Sequence, residues 1–130
     1  MIGFSEEEPE SKGRILYAED DKGCREAGTR NLRRRGYEVI ATEDGEKALE
    51  SYRAEQVAGR TIDFVITDIN MPNLPGFRLI KALREEGFGG PIAICSGTEV
   101  GVDFMKDYKV LVSSTSTRKC LEACEEERAR

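Results

Sequence analysis

The sequence predicts an α/β domain with a five-stranded parallel sheet and helices on both of its faces. Short apolar runs alternate along the chain with longer amphipathic stretches, which is the pattern of repeated strand–helix units. The apolar runs are continuous rather than alternating with polar residues, as in strands that are buried on both faces. A chain of 130 residues has room for one such domain and not for two.

Five strands and five helices follow from these patterns. The predicted strands lie at residues 14–18, 38–41, 62–67, 91–95 and 110–112. The predicted helices lie at residues 22–35, 45–57, 76–86 and 99–108, and a fifth begins near Ser116. The second and third helices carry apolar side chains at helical spacing on one face. Gly36 and Gly87 follow charged runs and mark the C-terminal ends of the first and third helices.

The first helix contains two glycines, Gly23 and Gly28. Each of them lowers the stability of a helix by about 1 kcal/mol relative to alanine. We therefore expect this helix to be either intrinsically weak or packed closely against a neighbouring element.

The charge distribution divides the chain into three parts and narrows the choice of partners. Residues 1–12 form an acidic leader that we expect to be disordered, residues 13–126 form the domain, and residues 127–130 form a charged tail. The net charge of −5 argues against nucleic-acid binding by this domain alone. The chain shows neither a secretory signal nor an apolar run that could span a membrane, which predicts a cytoplasmic protein without a membrane partner.

Histidine is absent from the sequence, and four cysteines are present. The missing imidazole excludes Ser–His and Cys–His nucleophile pairs and metal sites that combine His with Cys. We expect Cys24, Cys95, Cys120 and Cys124 to be free thiols, because a cytosolic chain with an ordinary core does not need disulfides. Cys120 and Cys124 share one helix face, but two thiolates do not make a structural zinc site.

Side chains that offer oxygen ligands cluster after three of the predicted strands. Acidic residues fill positions 19–21 after the first strand, and Asp68 follows the third strand. The fourth strand is followed by Ser96, Gly97 and Thr98. In a parallel sheet with the strand order 2-1-3-4-5, the first and third strands are neighbours at the point where ligands bind. That order brings the acids of these two strands into one crevice.

Glu19, Asp20 and Asp68 would repel one another in this crevice unless a cation neutralised them. Mg²⁺ suits such a site, because it prefers carboxylate and carbonyl oxygens and keeps positions free for phosphate oxygens. A carboxylate beside Mg²⁺ can attack a phosphoryl group, and Asp68 is the candidate nucleophile, with the hydroxyls of Ser96 and Thr98 nearby. The alternative is that the acids are solvated loop residues or helix N-caps.

Three segments of the chain carry a resemblance to a known family. They read RILYAEDD at residues 14–21, YEVIATEDGEKAL at residues 37–49 and DFVITDINMP at residues 63–72, and Gly76 follows the third. Over about residues 13–126 the chain resembles the receiver domain of bacterial response regulators, of the chemotaxis-regulator type. The resemblance implies a flavodoxin-like sheet of order 2-1-3-4-5 and a role in two-component signalling.

The resemblance also implies a role for each residue of the acidic crevice. Asp68 corresponds to the phosphoacceptor, and Glu19 and Asp20 correspond to the acidic pair around Mg²⁺. Asp68 and the backbone carbonyl of Asn70 would complete the metal ligands from the protein. Asp21 lies just beyond the acidic pair and fits a helix N-cap.

Three positions on the far side of the crevice have family counterparts. Ser96 corresponds to the switch hydroxyl of the family, and Gly97 to the small residue that follows it. Asn70 and Thr98 correspond to positions that influence how long the phosphoryl group lasts.

The chain departs from the family after the fifth strand, where the family has a lysine and a proline near the phosphoryl group. The segment here reads VLVSSTSTR at residues 110–118, and Ser114 takes the place of the lysine. The family's lysine would supply positive charge beside the acyl phosphate. The candidate replacements for this cation are Lys106, Lys109 and Arg118.

These features predict a domain that receives a phosphoryl group on Asp68 from a histidine kinase or phosphotransfer protein. Phosphorylation then changes its contacts with a downstream protein, an output domain or a second copy of the chain. Such a domain is not an enzyme, although it can catalyse its own phosphorylation and dephosphorylation. The alternative from another class is a degenerate receiver that acts as a phosphorylation-independent interaction module. A phosphohydrolase is disfavoured, because Asn70 stands where such an enzyme has a second acid.

Overall fold

The structure, a computed structural model, describes residues 10–130, so residues 1–9 of the predicted leader lie outside the described residues. Strands and helices alternate along the chain. The strands are β1 (Arg14–Ala18), β2 (Glu38–Thr42), β3 (Phe64–Thr67), β4 (Ile92–Cys95) and β5 (Val110–Ser114). The helices are α1 (Lys22–Arg34), α2 (Gly45–Ala58), α3 (Gly76–Glu85), α4 (Val102–Asp107) and α5 (Thr117–Ala129). All strand pairs are parallel and the sheet order is β2-β1-β3-β4-β5, which confirms the predicted topology.

Both faces of the sheet are buried, as the continuous apolar runs predict. Along β1, the side chains of Ile15 and Tyr17 belong to the cluster that α1 and α5 cover. Those of Leu16 and Ala18 belong to the cluster that α2 and α3 cover. All four side chains are almost fully buried, so β1 is rigidly packed in the centre of the sheet beside β3. The candidate site lies at the C-terminal ends of these two strands.

Several element boundaries differ from the sequence prediction. β3 begins at Phe64, two residues later than predicted, and the carboxylate of the preceding Asp63 accepts the backbone N–H of Arg14 at 2.8 Å. α4 begins only at Val102 and is shorter than expected. β5 runs two residues further, through Ser114, because at this edge strand the pairing with β4 orders serines that need not be buried.

The last helix includes most of the residues that the sequence analysis assigns to a charged tail. α5 continues to Ala129, and the Arg128 guanidinium lies 4.7 Å from the centre of the Phe64 ring. Arg128 also donates to the backbone carbonyl of Lys12 at 2.8 Å and to the Tyr37 hydroxyl at 3.2 Å. These contacts join the end of the chain to the start of β1. The proposed boundary at residue 126 stays a prediction.

Close packing accounts for one of the two glycines of α1. A Cβ atom on Gly28 would lie 2.2 Å from the hydroxyl oxygen of Tyr17, whereas a Cβ on Gly23 would come no nearer than 3.4 Å to Asp21. Tyr17 is buried between the sheet and α1, and its hydroxyl donates to the Cys24 carbonyl at 3.4 Å, so an added methyl group would have to displace its ring. Of the two expectations for this helix, close packing is the one that the structure supports.

We expect Gly28→Ala to lower the free energy of unfolding by about 1 kcal/mol. Overpacking costs about 1–3 kcal/mol, and the higher helix propensity of alanine returns about 1 kcal/mol of that. Gly23→Ala is the matched control and should leave stability unchanged or raise it. Urea denaturation followed by circular dichroism measures both variants, and equal stabilities for the two would contradict this packing explanation.

Candidate functional site

The backbone of β1 and β3 places the acidic residues at one level of the sheet. Ala18 pairs with Thr67, the last residue of β3, and the Asp68 N–H donates to the Ala18 carbonyl at 2.9 Å. The next side chains along both strands therefore project from the same edge. Carboxylate oxygens of Glu19, Asp20 and Asp68 all lie within 4.8 Å of one another. The structure thus brings together the three acids that the sequence analysis groups.

The three carboxylates differ in their exposure to solvent. Glu19 is buried, Asp20 is exposed and Asp68 is half-buried. Burial raises the pKa of Glu19 to about 7, and the Asp68 charge adds to this rise. The Asp21 N–H, which donates to Glu19 Oε2 at 3.1 Å, opposes it. Without a cation, the pocket therefore favours the protonated form of its innermost acid.

The donor set fits a hard divalent cation. It consists of carboxylate oxygens, and no cysteine belongs to this ligand group among the residues that the structure describes. Mg²⁺ accepts one or two carboxylates together with water and phosphate oxygens. Glu19, Asp20 and Asp68 would hold the ion, and the ion would shield an incoming phosphoryl group from their negative charge.

A hydrogen bond connects the loop after β3 with the loop after β4. The amide of Asn70, in the loop after β3, donates to the Thr98 hydroxyl at 2.7 Å. Thr98 follows β4, and its backbone N–H donates to the Ser96 hydroxyl oxygen at 3.2 Å. Ser96 thereby keeps its own O–H free to act as a donor. The two loops that flank Asp68 are therefore linked through residues that the sequence analysis assigns to the site.

The loop after β3 is held in place by two close backbone contacts. A Cβ on Gly76 would lie 2.1 Å from the Asp68 carbonyl oxygen, and a Cβ on Gly45 would lie 2.0 Å from that of Leu74. Only glycine fits at such distances. At the loop tip, Asn73 adopts a φ of 67° and donates through its amide to Asp44. The loop that carries Asn70 is thus anchored to both α2 and α3.

Asp21 lies outside the group of three acids. It is exposed and caps α1, because its Oδ2 accepts the Cys24 N–H at 2.8 Å. That hydrogen bond lowers the pKa of Asp21. Gly97 is exposed in the loop after β4 and lines the same cavity as Asp68.

The end of β5 contributes no positive charge to the site. Ser114 is the last residue of β5; its carbonyl accepts the Ser96 N–H at 3.0 Å and its hydroxyl oxygen accepts the Ser116 N–H at 3.1 Å. The cavity above the site has a volume of about 580 Å³. Within residues 10–130, no lysine or arginine lines it, so Lys106, Lys109 and Arg118 do not replace the family's lysine there. Arg118 instead pairs with Glu122 at 3.3 Å.

Sequence reasoning did not identify one cation close to the acidic pair. The Arg25 guanidinium, on α1, donates to the backbone carbonyls of Glu19 at 2.9 Å and of Asp20 at 3.2 Å. Arg25 therefore fixes the backbone of the loop between β1 and α1. Asn31 and Thr117, which are hydrogen-bonded to each other at 2.9 Å, also line the cavity. No spacing rule connects residues that lie this far apart in the chain.

Comparison with known protein sequences agrees with this geometry. The family model of the response regulator receiver domain matches residues 15–122. The response regulator MprA of Mycobacterium sp. (strain KMS) is 34% identical over 86 residues, which are 66% of this chain and 35% of that protein. The sensor protein EvgS of Escherichia coli (strain K12) is 40% identical over 78 residues, which are 60% of this chain and 6% of that protein. This chain therefore spans about a third, or less, of the length of these relatives.

Solved structures give the same result. The receiver domain from the hybrid histidine kinase CckA is 36% identical, with a TM-score of 0.65 over 88% of this chain and 97% of that one. The receiver domain of the Francisella response regulator 1452 is 20% identical and matches in fold, with a TM-score of 0.74 over 92% of this chain and 100% of that one.

No helix within residues 10–130 combines the length and the apolar character that a membrane span requires. The family model covers most of the chain, and the sheet order, the acidic strand ends and the glycine-anchored loop all agree with it. The chain belongs to the family of response regulator receiver domains, the signalling modules of two-component systems.

Proposed function

We propose that this receiver domain accepts a phosphoryl group on Asp68 in a reaction that depends on Mg²⁺. The observation that carries the proposal is the group of three carboxylates, from two neighbouring strand ends, whose oxygens lie within 4.8 Å of one another. A cation bound there reduces the repulsion between Asp68 and an anionic phosphoryl donor. Glu19 and Asp20 are the proposed partners of Asp68 in holding the ion, together with the backbone carbonyl of Asn70.

The hydrogen bonds around Asp68 suit a nucleophile. Its Oδ1 accepts the N–H of Ile69 at 2.6 Å, which orients the carboxylate, and we assign the attack to Oδ2. In the transfer, the Oδ2–P bond forms as the bond between phosphorus and the donor breaks. Ser96 and Thr98 line the same cavity as Asp68, and their hydroxyls can donate to phosphoryl oxygens bound there.

The proposed phosphoryl donor is a histidine kinase or a phosphotransfer protein. This proposal is supported by relatives that carry the names of a response regulator, a sensor protein and a hybrid histidine kinase. The proposed output is a change in contacts with a downstream protein, a linked output domain or a second copy of the chain. The domain would act on its own phosphoryl group and on no other substrate.

A second candidate function is favoured by the cavity, which no basic side chain lines within residues 10–130. Without a cation opposite Mg²⁺, the acyl phosphate has one fewer stabilising partner and one fewer link to β5. The second candidate is therefore a degenerate receiver that binds its partners whether or not Asp68 is phosphorylated.

Intact-mass measurement separates the two functions. With Mg²⁺ and acetyl phosphate, we expect one added phosphoryl group on the wild-type chain and none on Asp68→Ala. Asp107→Ala, which removes an exposed carboxylate at the end of α4, should react like the wild type. A wild-type chain that gains no phosphoryl group from acetyl phosphate or phosphoramidate would favour the interaction module, and an adduct that survives in Asp68→Ala would remove Asp68 as the acceptor.

A further inference from the structure

Three cysteines lie beside the acidic site and have no part in the proposed phosphorylation. Cys24, on α1, and Cys95, at the end of β4, line the same cavity as Asp68. Cys120, near the start of α5, is fully buried and belongs to the core cluster that α1 and α5 cover. All three are free thiols, as is Cys124 one helical turn further along α5.

The sulfur of Cys120 lies at the junction of the ends of β4 and β5. It donates to the carbonyl oxygen of Ile94 at 3.4 Å and lies 4.0 Å from that of Ser114. Ile94 directly precedes Cys95 in the chain, and Ser114 is paired with Cys95 across the two strands. The Cys95 side chain packs against the core cluster that contains Cys120. The two cysteines are therefore neighbours on one face of the sheet, where α5 packs against the ends of β4 and β5.

The four thiols differ in acidity and access. Cys95 is partly exposed, and its interaction with Cys120 lowers its pKa, whereas burial and the charges of Glu19 and Asp68 act in the opposite direction. The same interaction and burial raise the pKa of Cys120. The hydrogen bond with Asp21 raises the pKa of Cys24, and burial raises that of Cys124 to about 12. Of the two neighbouring cysteines, Cys95 is the one that a peroxide can reach, because it lines the cavity and Cys120 is fully buried.

We propose that Cys95 and Cys120 form a reversible disulfide when the domain meets a hydroperoxide. The Cys95 thiolate attacks a peroxide oxygen, the O–O bond breaks, and the departing oxygen takes up a proton and leaves as water or an alcohol. Cys95 is then a sulfenic acid. The Cys120 sulfur attacks the Cys95 sulfur and loses its proton, the S–O bond breaks, and water leaves. The two thiols lose two electrons in total, and the peroxide gains them.

The disulfide would join β4 to α5 one residue before Ser96. The Ser96 N–H already donates to the Ser114 carbonyl, so the new bond would strengthen an existing junction of β4, β5 and α5. A dithiol reductant would reverse it. The inference uses neither Mg²⁺ nor Asp68, and it therefore stands independently of the proposed phosphorylation.

Thiol mapping of the whole chain tests the proposal. The reduced protein is treated with an equimolar amount of hydrogen peroxide, unfolded in iodoacetamide and digested without reductant. We expect two of the four thiols to escape alkylation, and a linked peptide pair that contains Cys95 and Cys120. Dithiothreitol should restore both thiols.

Single substitutions provide the controls. Cys24→Ser and Cys124→Ala should form the same linked pair as the wild type, and Cys95→Ser should form none. Because Cys120→Ser places a hydroxyl in the core and can unfold the chain, the wild-type peptide map decides the result. A link between Cys95 and Cys24, or peroxide-treated protein in which all four thiols are alkylated, would overturn the proposal.

Discussion

Without Mg²⁺, the domain is expected to lose about 2 kcal/mol of stability as the pH rises from about 5 to 8. The pKa of Glu19 in the folded chain is about 7, against an ordinary value of 4.5. The folded state therefore binds the Glu19 proton up to a higher pH than the unfolded state does. The free energy of unfolding falls as the pH rises between these two values and becomes constant above about 7. Mg²⁺ should prevent the loss, because it stabilises the ionised carboxylates.

Glu19→Gln tests the origin of this pH dependence. The variant has no titrating group at position 19, so its metal-free stability should stay flat over this pH range. Glu26→Gln, which removes an exposed carboxylate from α1, should retain the wild-type slope. Thermal melts with and without Mg²⁺, at half-unit pH steps, measure all three proteins. A slope in Glu19→Gln equal to that of the wild type would show that another group is responsible.

Arg84→Ala is expected to lower the free energy of unfolding by about 3 kcal/mol. The partly buried guanidinium of Arg84 donates to four backbone carbonyls at the edge of the sheet opposite the site. Its acceptors are Phe88 at 2.9 Å, Gly90 at 2.7 Å, Tyr108 at 2.8 Å and Lys109 at 3.1 Å. One side chain thus ties α3 to the loops that lead into β4 and β5. Its loss leaves several carbonyls with water as the remaining partner.

Two further variants of α3 refine this prediction. Arg84→Lys should recover only part of the stability, because an ammonium group cannot reach carbonyls in two loops at once. Arg78→Ala, at an exposed position of the same helix, should change stability by less than about 0.5 kcal/mol. Urea denaturation measures each variant. A loss for Arg84→Ala no larger than that for Arg78→Ala would contradict the structural role of Arg84.

Local patterns in the sequence were sufficient to predict the fold. Central strands must be apolar on both faces, and β1, β3 and β4 show this over most of their length. The edge strand β5 is different, because Ser113 and Ser114 are ordered by backbone pairing with β4 rather than by burial. The strand predicted from the apolar pattern therefore ended two residues before the end of β5. The same limit applies to α4, a short helix with no buried residue.

The acidic group was predictable because topology alone brings the ends of neighbouring parallel strands together. The contacts of Arg25 with two backbone carbonyls, and the position of the Cys120 sulfur beside the end of β4, were not predictable in this way. Both features depend on how a helix packs against the sheet. The spacing of residues in the sequence does not predict which strand end an arginine or a cysteine of a helix will contact. That no basic side chain among the described residues lines the cavity likewise depended on where Lys106 and Lys109 lie in space.

Calorimetric titration of the purified chain with Mg²⁺ tests the central claim, which is that the ends of β1 and β3 share one divalent cation. We expect one binding site per chain in the wild type. Asp20→Asn and Asp68→Asn should each weaken binding by more than about tenfold, since even the outer partners of metal ligands contribute about 10–100-fold to affinity. Asp21→Asn, which keeps the helix cap, should bind like the wild type. Equal Mg²⁺ affinity in all four proteins, or no binding in the wild type, would contradict the account.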